Sequence, residues 1–100
     1  MDRIQFQGLL ENLLGSRNVY FQPPESVKMS YPAIIYSRQN IENGHANNGV
    51  YTQDWSYQLI VVDKNPDSEI VKKVAMLPKC RFDRHYKADN LNHDVFSIYI

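Results

Sequence analysis

The chain has 100 residues, with eleven basic and eleven acidic side chains and a formal net charge of zero. At 11.7 kDa and 43% apolar residues it can build one modest core, so residues 1–100 read as a single domain and two compact domains are excluded. The charge balance argues against a free nucleic-acid binder, which carries a basic excess, and 12% aromatics argue against a disordered chain.

The first segment reads as a helix over about residues 3–14. Asp2 suits the N-cap with Gln5 three residues on, as in a capping box. Ile4, Phe6, Leu9, Leu10, Leu13 and Leu14 recur at helical spacing, and Gly15 suits a left-handed C-terminal cap. The β-prone run Asn18-Val19-Tyr20-Phe21 follows. Pro23 and Pro24 stop it, which predicts an extended, solvent-facing connection over 22–31.

Pro32 opens Ala33-Ile34-Ile35-Tyr36-Ser37-Arg38, a β-branched and aromatic run that predicts a strand covered on both faces. Residues 39–50 are polar and hold the turn dipeptides Asn43-Gly44 and Asn48-Gly49, which predicts a long connection, either functional or merely a flexible extension. Residues 51–63 are the longest strand. Tyr51, Gln53, Trp55, Tyr57, Leu59 and Val61 share one face, while the other is polar at first and apolar at the end.

Asn65 as cap, Pro66 in the first turn and Asp67 and Glu69 near the helix start predict a short helix at about 67–76. The tail predicts a hairpin. Cys80, Phe82, Arg84 and Tyr86 alternate with Arg81, Asp83 and His85; Lys87-Ala88-Asp89-Asn90 supplies the turn; Leu91 to Ile100 returns inside the sheet. The order α-β-β-β-α-β-β predicts an α+β fold, with two helices packed on one side of a mainly antiparallel sheet.

Cys80 is the single cysteine, which excludes an internal disulfide, and its shared face with Phe82 marks it as a small buried side chain rather than a nucleophile. No apolar run approaches the ~20 residues of a membrane span. Met1-Asp2-Arg3 leads into an amphipathic segment rather than a signal peptide, so the expected compartment is a reducing cytoplasm without membrane contact.

The richest polar cluster is Arg81, Asp83, Arg84, His85, Asp89, Asn90, His93 and Asp94. In a hairpin His85 and His93 can approach, and with Asp94 they offer imidazole and carboxylate to a divalent metal or form an acid–base pair. The competing reading, a strand surface with cross-strand ion pairs, needs no special register and is preferred. The aromatics of the strands suit a core, a protein interface or base stacking. Only Lys28 and Arg38 lie between Asn18 and Asp63, too few cations for a nucleic-acid surface.

Two stretches carry a resemblance. The first is Asn18-Val19-Tyr20-Phe21-Gln22-Pro23-Pro24 followed by Met29, Tyr31-Pro32-Ala33-Ile34-Ile35-Tyr36. The second is Asp63-Lys64-Asn65-Pro66-Asp67-Ser68 followed by Leu77-Pro78, Cys80-Arg81-Phe82-Asp83-Arg84 and Asp89-Asn90-Leu91-Asn92-His93-Asp94-Val95-Phe96. Together they resemble the small tail-terminator, or tail-completion, proteins of tailed bacteriophages and phage-tail-like particles. The resemblance implies an α+β subunit of a homo-oligomeric, usually hexameric, ring at the head-proximal end of the tail tube. Such a ring stops polymerisation of the tube protein and faces the head connector or neck, and genome DNA passes its lumen without sequence reading. It implies no catalytic residue, no metal and no cofactor; another neck or head–tail joining position is the nearest alternative.

A ring needs two different patches on each subunit. The expected contact residues are Tyr51, Trp55 and Tyr57 on the long strand, Ile41 and His45 in the segment 39–50, and Arg81, Asp83, Arg84 and Asp94 in the hairpin.

Overall fold

A computed structural model describes residues 1–46 and 49–100, with the side chains at 45, 46 and 50–52 outside the description. The elements are α1 (Arg3–Leu14), β1 (Val19–Phe21), β2 (Ala33–Ala46), β3 (Gly49–Asp63), α2 (Glu69–Ala75), β4 (Cys80–Ala88) and β5 (Leu91–Tyr99). The strands form one sheet in the order β1-β2-β3-β5-β4, parallel only between β1 and β2. The expected α+β order is the observed one.

α1 begins where its cap chemistry dictates. The Asp2 carboxylate accepts from the Gln5 backbone N–H at 2.8 Å, and the Asp2 N–H donates to Gln5 Oε1 at 3.1 Å. Gly15 ends the helix at φ 81°, where a side chain would be strained. Phe6 and Leu10 are fully buried, whereas Ile4, expected in the apolar stripe, is 66% exposed.

Phe6 and Leu10 of α1 and Val74 of α2 share one core with Ile34, Tyr36, Tyr57, Leu59, Val61, Phe96 and Ile98. Both helices therefore lie on one face of the sheet, as predicted. That face collects the odd-numbered β3 residues, and the opposite face carries Ser56 and Gln58 before Ile60 and Val62. β2 departs from the expectation of two covered faces. Ile34 and Tyr36 point to the helices, while Ile35 is half-buried on the face that neither helix covers.

α2 starts later than predicted. Ser68 is its N-cap, and Ser68 Oγ accepts from the Ile70 N–H at 3.2 Å. Asn65 spends its side chain earlier, accepting from the Asp67 N–H at 3.0 Å in a turn that precedes the helix.

The largest correction concerns residues 39–50. β2 continues through Ala46 and β3 begins at Gly49, so most of the expected connection is paired strand. Asn43 pairs with Gln53 and Gly44 with Thr52, which places the first turn dipeptide inside the ladder; Asn48 of the second lies outside the described residues. The β2 half of the ribbon has little apolar alternation in sequence; it is paired by backbone hydrogen bonds, which composition does not reveal.

Candidate functional site

The two regions expected to make contacts stand at opposite margins of the sheet. β1 pairs only with residues 34–36 of β2, and β5 pairs with β3 only from Ser56 onward. Beyond those limits β2 and β3 form a two-stranded arm, which gives the molecule extents of 51 × 25 × 23 Å. At the other margin β4 is the edge strand, with residues 81–87 all exposed.

Trp55 anchors the arm at its base. It is half-buried against the core, opposite Ile41. Its Nε1–H donates to Gln53 Oε1 at 2.8 Å, and Gln53 Nε2 donates to Asn43 Oδ1 at 3.0 Å. A bulge at Gln39 interrupts the ladder between Arg38 and Asn40. Beside Trp55 opens a cavity of about 430 Å³ lined by Met1, Asp2, Arg3, Tyr57 and Ile100.

Tyr57 is placed differently from its expectation as a contact residue. It is 3% exposed, with its ring 5.8 Å from Phe6 and 5.9 Å from Tyr36, so it belongs to the core of the subunit. The two-residue period put Tyr57 and Trp55 on one face correctly; Tyr57 lies under Phe6 of α1, whereas Trp55 borders the cavity at the helix start beside Met1, Asp2 and Arg3. Ile41 is half-buried on the arm. The side chains of Tyr51 and His45 lie outside the described residues.

In β4 a bulge between Phe82 and Arg84 changes the expected alternation. Cys80 and Phe82 face the helices, but Arg84 and Tyr86 face the other way because one extra residue shifts the pleat. Ser97 Oγ donates to Asp83 Oδ2 at 2.6 Å and Arg81 Nε donates to Asp83 Oδ1 at 3.0 Å. The Ser97 hydrogen bond, then Arg81, holds the Asp83 carboxyl below the usual carboxylate range. Burial pushes the Cys80 thiol up, and nearby Asp83 adds to this, which disfavours the reactive thiolate. Cys80 instead packs against the core.

The histidine pairing considered above is not formed. His85 stands opposite Asp94, with Nδ1 2.9 Å from Asp94 Oδ1. His93 stands opposite Tyr86 and stacks on it, ring centroids 4.7 Å apart. Neighbouring positions on a strand point to opposite faces, so His85 with Asp94 and His93 with Tyr86 are separated by the sheet. Among the described residues no three His, Cys, Asp or Glu side chains group as metal ligands.

Sequence reasoning missed Glu42 and Asp54. They stand directly opposite each other on the arm, on the face away from the helices. Tyr99 Oη makes a long hydrogen bond of 3.4 Å to Glu42 Oε1. Neither carboxylate has a basic group within ion-pair distance among the described residues. The available signal was two polar runs flanking a link rich in Asn and Gly, which is a hairpin pattern.

Among the described residues no helix is long and apolar enough to cross a membrane. No protein-family model matches the chain, and no curated protein matches it.

Proposed function

We propose that the chain is a structural subunit of a phage or phage-tail-like particle, assembling as a ring at the head-proximal end of the tail tube. The ring ends tube polymerisation, presents a surface to the head connector and lets genome DNA pass its lumen without sequence reading. Its place is the virion neck, with the host cytoplasm as the site of assembly.

The observation that carries this reading is the arm. A two-stranded ribbon on its own is marginal in water. A subunit that extends one from a compact sheet is suited to lay it on a neighbour. The arm and the β4 edge are also unlike patches, as head-to-tail closure requires. The sequence words in 18–36 and 63–96 direct the reading to the tail terminator among ring-forming proteins.

Light scattering on the purified chain, alone and with the tail-tube protein, tests it. Six copies of 11.7 kDa, about 70 kDa, are expected either alone or on the tube. A persistent monomer that ignores the tube protein overturns the reading.

A further inference from the structure

We infer that the β4 edge of one copy pairs antiparallel with the outer edge of the β2 arm of a second copy, continuing the sheet from subunit to subunit. The inference rests on the ring reading only in requiring that copies meet head to tail.

Three observations carry it. The first is geometric. The sheet has two edges without a partner strand, β4 at residues 80–88 and the distal part of β2 beyond the end of β1. Gln22 closes the β1 side, its Oε1 accepting from the Arg38 N–H at 3.2 Å, and the Asn40 Oδ1 accepts from the Ile41 N–H at 2.9 Å, so the open stretch of this edge begins at Glu42. The second is direction. β2 and β3 are antiparallel, as are β3 and β5, and β5 and β4. β4 therefore runs opposite to β2, and a second copy added in the plane of the sheet meets it as an antiparallel neighbour with the same faces aligned.

The third observation is charge. β4 carries Arg81, Arg84 and Lys87 against Asp83. Arg81 and Arg84 oppose Ser97 and Val95, on the face away from the helices. The arm carries Glu42 and Asp54 on that same face, directly opposite each other. Like charges across a ladder are unfavourable unless a cation joins them. Two β4 edges repel, two arms repel, and one of each attract. The charges on β4 also guard an exposed edge against indiscriminate pairing. The pattern thus rejects a two-fold dimer and selects a head-to-tail contact.

Sedimentation velocity across a wide concentration range tests this on the full chain. The proteins are wild type, Arg81→Glu/Arg84→Glu, Glu42→Lys/Asp54→Lys and the variant combining all four. Each substituted side chain is exposed, and circular dichroism checks that each monomer is folded. Wild type is expected to self-associate, and each single-edge variant to do so at least about tenfold more weakly. The combined variant, with signs exchanged on both edges, recovers. In the wild-type assembly the β4 amides gain protection from hydrogen exchange. A wild type that stays monomeric both alone and with the tail-tube protein, single-edge variants that associate like wild type, or a combined variant that does not recover overturns the inference. Open chains whose mass grows with concentration, and which the single-edge variants abolish, keep the edge pairing and remove the closed ring. A ring of fixed mass indifferent to all four substitutions keeps the ring and removes the edge pairing.

Discussion

The Arg38 guanidinium lies 5.5 Å from the centroid of the Trp55 ring, at the point where the arm leaves the five-stranded sheet. The pair joins the last residue before the bulge in β2 to the half-buried aromatic of β3. A cation held over an indole face contributes about 0.5–1 kcal/mol where water still reaches it. The base of the arm is thus fixed by side chains.

Trp55 and Tyr57 share a face but differ in what their loss removes. Tyr57→Ala is expected to cost about 3–5 kcal/mol in urea unfolding, because its ring fills the core against Phe6 and Tyr36. Trp55→Ala is expected to cost about 1–2 kcal/mol and to weaken assembly more than it unfolds the subunit. Equal loss of assembly and stability makes Trp55 a core residue only.

Tyr36 ties α1 to the sheet. Its hydroxyl donates to Gln7 Oε1 and accepts from Arg3 Nη1 at 3.3 Å, while Gln7 Nε2 donates to the Val19 carbonyl at 3.0 Å. Tyr36→Phe keeps the ring and leaves Gln7 short of a donor, at an expected cost of about 1–2 kcal/mol in neutral solution.

The same residue gives a pH dependence. Burial raises the Tyr36 pKa, with the hydrogen bond and charge of Arg3 opposing it. The unfolded chain therefore loses this proton first as pH rises. The contribution is complete below the unfolded value of about 10 and falls as pH rises through the folded one. Unfolding curves above pH ~10 should show the gap between wild type and Tyr36→Phe narrowing. A gap that widens there contradicts the assignment.

Asp2→Ala removes the carboxylate that accepts from the Gln5 N–H and leaves the first turn of α1 without its cap. The expected loss is about 1 kcal/mol, with Asp2→Asn retaining most of the stability. Hydrogen exchange at Gln5 locates the effect; an unchanged rate there means that the cap is not made in solution.

Local chemistry made much of this fold legible in the sequence. The capping box Asp2–Gln5, the stop at Gly15, the period of β3 from Trp55 to Val61 and the tail hairpin all depend on neighbours within a few positions. Asp89 and Asn90 turn that hairpin at φ 53° and 61°, a conformation that Asp and Asn tolerate better than most residues. The tertiary structure alone decided the rest. A bulge at Gln39 or between Phe82 and Arg84 exists only relative to a partner strand, and one extra residue there sends Arg84 to the face opposite Phe82. The arm was hidden because its β2 half, from Gln39 to Ala46, is polar apart from Ile41 and Ala46 and holds a turn dipeptide, while the backbone ladder that pairs it needs no apolar pattern. The opposition of Glu42 to Asp54, and of both to the basic edge across the sheet, follows from register, which is set by long-range pairing and not by composition.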